Sequence, residues 1–182
     1  ETFNHKIPEF VKKFIPMIHS QLTDICKSIL KSNSNEDIKY QSIWSDLWQS
    51  LIYCNYINDT QSELFNPKYL ISFFILQLRK CTNQPWKLNG LIYGVVAVIQ
   101  FFGDKISIEL IKEAIDTSIN LYSVGSVKEI ILEPITQLCK YTSQYLLTIK
   151  DISSHQNENE NEKIIKNNDA VSMIWNNILY CV

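Results

Sequence analysis

The sequence predicts an all-α fold of about seven helices, and three observations carry that expectation. Apolar residues recur at i, i+3 and i+4 along most of the 182 residues. Only four glycines and five prolines are present, too few for a sandwich or barrel, which needs a turn residue every ~8–12 positions. No period-two segment is long enough for a strand; the isoleucine-rich stretches are spaced as helices.

The first helix is expected over about Pro8–Leu30, with Val11, Phe14, Ile15, Ile18, Leu22, Ile25 and Ile29 on one stripe. KSNSNED (Lys31–Asp37) breaks it with turn and cap residues. The second covers about Ile38–Ile57, where Ile43, Trp44, Leu47, Trp48, Leu51 and Ile52 recur at helical spacing. Asn66-Pro67 opens the third, the asparagine as N-cap and the proline at the first helical position. This helix runs to about Thr82, and Pro85 starts the fourth, for which Gly103 is the expected C-terminal cap. In the fourth, no charge occurs between Leu88 and Gly103, and Gly90 and Gly94 stand one turn apart. The apolar core of that stretch, Leu91–Ile99, is about half the ~20 residues a bilayer requires. A buried central helix, with glycines that let a neighbour approach, is the expectation.

The fifth helix, about Lys105–Leu121, has a wet face of Glu109, Lys112, Glu113, Asp116 and Asn120. Its dry face carries Ile108, Ile111, Ile115, Ile119 and Tyr122. SVGSVKE then supplies a turn glycine and a capping box, Ser126 with Glu129. The sixth helix extends to about Ile149. The polar SSHQNENENEK segment (loop 153–163) follows, and a seventh helix (162–182) closes the chain. The whole reads as a single helical domain or array spanning 1–182, in units 8–57, 66–103 and 105–149 plus the last helix. The missing initiator methionine and the amphipathic C-terminal stretch suggest a piece of something longer.

A repeat underlies these units. Trp44, Trp86 and Val127 each stand near the start of an even-numbered helix, at separations of 42 and 41. The last two are followed by lysine, Trp86-Lys87 and Val127-Lys128. This pattern resembles a HEAT repeat, whose second helix opens with valine and a basic residue. FIPMIHSQL (Phe14–Leu22) is similar to the leucine-proline pattern of a HEAT first helix. The aspartate–arginine ladder common in that family is absent, with lysines where the arginines would be. The Trp86-Lys87-Leu88 opening looks like units of large HEAT scaffolds: the proteasome-associated scaffold, the karyopherins, and the HEAT array of the TATA-binding-protein remover. The resemblance implies antiparallel helix pairs stacked as a short right-handed α-solenoid, which binds protein partners on the face of its second helices.

Several chemistries are disfavoured by composition. Net charge is −2 and Arg79 is the only arginine, so the basic footprint and bidentate reach of a nucleic-acid binder are missing. Cys26, Cys54, Cys81, Cys139 and Cys181 are scattered at apolar helical positions without a C-x-x-C. Small buried hydrophobes in a reducing compartment, cytoplasm or nucleus, are expected. The Asn58-Asp59-Thr60 sequon has nothing beside it to support secretion. His5, His19 and His155 are dispersed; His19 and Cys26 share a helix face, but two ligands do not make a zinc site. No phosphate loop, nucleophile elbow, H-E-x-x-H or EF-hand loop occurs. Neither an enzyme, a cofactor, a metal, a small-molecule substrate nor a membrane is expected.

The tryptophans are the residues with a choice of roles. Trp44 and Trp48 lie i, i+4 on one face, and tryptophan both fills seams between helix layers and anchors interfaces. Trp44, Trp48, Lys87 and Lys128, on the helices that begin the repeat units, are the expected partner contacts. Lys12, Lys13, Arg79, Lys80, Lys87 and Lys128 could form a modest positive rim, or simply solvated helix ends. The expected function is a non-catalytic protein–protein interaction scaffold. The alternative is a compact helical domain that recognises a short peptide, phosphorylated or not, in a groove where basic residues converge.

Overall fold

The computed structural model of the chain describes residues 13–31, 41–58, 66–82, 84–122 and 128–153. Among them are six α-helices and no strand: α1 (Ile15–Lys31), α2 (Gln41–Asn58), α3 (Pro67–Lys80), α4 (Pro85–Phe102), α5 (Ile108–Tyr122) and α6 (Lys128–Ser153). One 3-10 turn, Gly103–Lys105, joins α4 to α5. The expected seventh helix, the 153–163 loop beyond Ser153 and the Ser126 capping box lie outside the described residues, as do His5, Lys12, His155 and Cys181.

Local chemistry explains the helix starts. α1 begins at Ile15, later than the apolar stripe alone suggests, and Pro16 stands in its first turn, where a missing N–H costs nothing. Asn66 caps α3 as expected: its side chain accepts a 3.0 Å bond from the Lys68 amide, and Pro67 takes the first helical position. Pro85 does the same for α4. Before α5, Ile106 is extended and the Ser107 carbonyl accepts the Leu110 and Ile111 amides, so the helix starts three residues later than expected. Glu109 in that first turn complements the helix dipole.

Gly103 is the C-cap of α4, as expected, and its amide donates to the Ile99 carbonyl; it is right-handed (φ −53°, ψ −39°) and leads directly into the 3-10 turn. A Cβ there would lie 3.0 Å from the Tyr145 ring, so proximity to α6 accounts for the small residue.

α4 is the centre of the fold. It packs against α2 on one side and α6 on the other, and against its hairpin partner α3. Leu88, Leu91, Ile92, Val95, Val96, Ala97, Val98 and Ile99 are all buried. The Pro85–Lys105 segment is long and apolar enough to cross a membrane, yet 72% of its 18-residue apolar window is covered by the rest of the fold, as a core helix is. Gly90 and Gly94 are what permit this coverage. A Cβ on Gly90 would stand 2.2 Å from Trp44, and one on Gly94 would stand 2.3 Å from Phe74. α3 also packs on α5, α5 on α6, and α1 on α2, whereas α1 and α6 share no substantial packing among the described residues.

The contacts of α2, α4 and α6 give their directions. Trp44 meets α4 near its start and Tyr56 meets Phe101 and Phe102 near its end, so α2 and α4 run parallel. Asn89 meets Ile130 and Gly103 meets Tyr145, so α4 and α6 run parallel as well.

The α4–α6 seam contains a proline that the periodicity had not singled out. Pro134 lies inside α6 and has no N–H to give the Ile130 carbonyl four residues earlier. The Asn89 Nδ2 donates to that carbonyl at 2.7 Å, supplying from α4 the bond that α6 cannot make for itself. Asn89→Ala is therefore expected to cost about 1 kcal/mol in urea unfolding. In a Pro134→Ala background, where the helix bond can re-form, the same change should cost clearly less. Equal costs in both backgrounds would disprove the coupling.

Candidate functional site

The expected contact residues lie at the junction of α2 and α4, and the structure places them inside it. Trp44 is fully buried and Trp48 is 4% exposed. Their rings meet edge to face at 5.2 Å, and Trp44 also meets Trp86 at 5.9 Å. Trp48 continues the cluster to Phe74 at 5.0 Å and Phe73 at 5.8 Å. The Trp44 Nε1 donates to the Lys87 carbonyl at 3.0 Å, which satisfies the polar end of a buried indole. These rings fill the seam between helices, the first of the two roles open to them.

Lys87 also departs from expectation. It is 1% exposed, in the first turn of α4, with its ammonium 5.4 Å from the Trp86 ring centre. An aromatic face attracts a cation electrostatically, and the four-carbon stem packs as an apolar chain. With their side chains enclosed, Trp44, Trp48 and Lys87 offer no area to a partner in this conformation. Lys128 is the first residue of α6, and its side chain is outside the described set.

Two of the rim residues that are described do not face a common groove. Lys87 is interior, and Arg79 is engaged with Glu113 at 2.8 Å across the α3–α5 seam. That pair borders an open groove of about 440 Å³ lined by Arg79, Glu109, Lys112, Glu113, Asp116 and Thr117. Lys112 is held by Asp116 at 2.6 Å one turn along α5. Three carboxylates and two cations, already cross-linked at the surface, form a solvated helix face.

The accessible side of the α2–α4–α6 row carries residues that the tryptophan stripe had overshadowed. On α2, Tyr53 and Tyr56 are 46% and 49% exposed and rest on Phe101 of α4 at 5.4 and 5.2 Å. Half-way along the row, Tyr93 of α4 pairs with Glu133 of α6 and feels the charge of Asp46 of α2. Burial, a hydrogen bond to Glu133 and the negative charges of Glu133 and Asp46 push its hydroxyl up to about 12. It stays a neutral donor throughout the physiological range. Tyrosine on a helical face is as readily core as surface, so the sequence carried no sign that Tyr93 would have two carboxylates beside it.

Reactive groups are subdued. Cys26, Cys81 and Cys139 are buried, and Cys54 is half-buried. Burial pushes Cys26 up to about 12 and raises Cys54 and Cys81, which disfavours the nucleophilic thiolate. Burial lowers His19 below its ordinary value, with Lys27 adding to the fall and Asn55 opposing it. Among the described residues, no three His, Cys, Asp or Glu side chains gather closely enough to hold a metal ion. No protein-family model, curated protein or solved structure matches the chain.

Proposed function

We propose that this protein is a non-catalytic protein-binding scaffold built from HEAT-like helix pairs, α1–α2, α3–α4 and α5–α6, stacked as a short α-solenoid. The observation that carries the reading is the register of the second helices. Trp44 bonds the residue 43 positions on, and Asn89 bonds the residue 41 positions on. These intervals fall within one residue of the sequence repeat of 41–42, as stacking of equivalent helices requires. Side-by-side packing of α3 with α5 adds a second row of first helices.

On this reading the partner lies along the exposed side of α2, α4 and α6, where Asp46, Tyr93 and Glu133 cross the row and Tyr53 and Tyr56 add aromatic area. Tyrosine supplies large contact area at low entropic cost, and the two carboxylates suit a protein segment carrying lysine or arginine. Cysteines placed as small buried groups, such as Cys26 and Cys81, accord with work in a reducing compartment, cytosol or nucleus. The peptide-recognition alternative needs converging cations, and Lys87 and Arg79 are committed elsewhere.

The test is affinity capture with wild-type protein and with an Asp46→Lys, Tyr93→Ala, Glu133→Lys variant shown to be folded by circular dichroism. A partner retained by wild type should be lost, or weakened at least tenfold, in the variant. Identical capture by both would rule out this face.

A further inference from the structure

The exposed side of α2, α4 and α6 carries two chemically different ends, and α4 fixes the distance between them. Near the middle of α4, Tyr93 donates a hydrogen bond to Glu133 of α6 and feels the charge of Asp46 of α2; both acidic residues are exposed. A carboxylate accepts several hydrogen bonds, so the Tyr93 hydroxyl leaves Glu133 able to take an ammonium or guanidinium as well. Towards the end of α4, Phe101 meets Tyr53 and Tyr56 of α2, each about half exposed. Tyr93, Ala97 and Phe101 follow one i, i+4 row, so the two ends lie about 12 Å apart along the axis. Ala97 is buried, so this row raises no side chain between them.

The aromatic end suits an uncharged side chain. Tyr56 also meets Phe102 at 5.6 Å, and the Lys105 ammonium stands 5.8 Å from the centre of that ring. A cation already in place repels a second one, while the exposed area of Tyr53 and Tyr56 gains from apolar cover. Backbone partners for a ligand are scarce on this side. α2, α4 and α6 use their amides and carbonyls within their own helices, and Asn89 takes the carbonyl that Pro134 frees. A helix satisfies its own backbone here; an extended segment would not. The three helices are also parallel, so their dipoles add and favour a ligand helix running the opposite way. The ligand's own dipole favours a cation towards its C-terminal end.

We infer that the ligand of this face is an amphipathic helix lying antiparallel to α4, with an apolar residue on Tyr53, Tyr56 and Phe101 and a lysine or arginine seven residues later at Glu133 and Asp46. Seven residues put the two on one side of the ligand helix at a separation of about 11 Å. The inference rests on the scaffold reading of this face and adds the partner's form, direction and spacing.

Two display libraries sorted on the full chain at low salt test it. One is a capped helical framework with randomised surface positions, and the other is linear with proline at its centre. Helical clones with Leu, Ile, Met or Phe at one position and Lys or Arg seven later should be enriched at least tenfold over input. They should bind the Asp46→Lys, Tyr93→Ala, Glu133→Lys variant at least tenfold more weakly. On Glu133→Lys alone, a clone whose Lys or Arg is changed to Glu should bind more tightly than its parent; the reverse ranking would overturn the charge pairing. If circular dichroism shows Glu133→Lys unfolded, Asp46→Lys takes the same comparison. Enriched clones that need the face yet carry the opposite order, another spacing or proline would overturn the inference and leave the reading of the face standing. Enriched clones indifferent to the triple variant would sink both. No enrichment over the bare support would overturn the inference alone, because whole-protein capture tests the face separately.

Discussion

Trp44→Ala should cost about 3–5 kcal/mol in urea or thermal unfolding, the largest loss from any single truncation in this fold. Trp44 is fully buried, touches two other indoles edge to face, and donates a hydrogen bond to the Lys87 carbonyl. Removing it empties the volume of an indole between α2 and α4, where the parallel packing of these helices restricts collapse. A domain of this size holds about 5–15 kcal/mol in total, so the variant should unfold near or only slightly above room temperature if stability is at the low end. Trp44→Phe keeps most of the ring and loses the Nε1 donor, and about 1–2 kcal/mol is expected. A cost under 1 kcal/mol for the alanine variant would show that Trp44 is not the keystone its burial implies. Because this effect is on stability, a Trp44 variant that loses a partner says nothing about where the partner binds.

The second large effect comes from adding atoms. Alanine is favoured over glycine inside a helix by about 1 kcal/mol, so local propensity alone predicts that Gly90→Ala and Gly94→Ala are stabilising. The packing predicts the opposite sign. The new methyl would stand 2.2 Å from Trp44 at position 90 and 2.3 Å from Phe74 at position 94, closer than carbon atoms can approach. Each ring would have to leave a packed site, and overpacking of this kind costs ~1–3 kcal/mol or more. Both variants should therefore melt below wild type by several degrees, a domain of this length losing ~2–4 °C per kcal/mol. At position 90 the change should be relieved by Trp44→Phe, which shrinks the ring that is struck. Neutral or stabilising substitution at either glycine would mean that α4 is not approached as closely as described.

These two predictions mark what sequence could and could not reveal. Helix starts at Asn66-Pro67 and Pro85 were legible because capping is local: the residues that set it are neighbours in the chain. Gly90 and Gly94 were legible as close-approach positions because their surroundings are apolar and no strand precedes them. Gly103 was legible as the end of α4, whereas its closeness to Tyr145 was not, since nothing local announces that ring. The tryptophan stripe was legible as a stripe. Whether its flank faces solvent depends on the glycines of α4, so spacing could not decide between anchor and core. Lys87 was misread for the same reason: a charge near a helix start is solvated unless aromatic rings close over it. Pro134 was passed over because an interior proline argues against a helix, and its compensation comes from Asn89 on another element.

The matching of a bulky ring to a glycine has a consequence for how such a chain can change. At the α2–α4 seam an indole fits over Gly90, while at the α4–α6 seam an amide meets a proline-freed carbonyl and Tyr145 meets Gly103. The two seams are cut to different keys. A duplicated or transposed helix pair would bring a knob to a place with no hole. The order of the helix pairs is thus written into their faces, and exchanging one pair for another would break both seams.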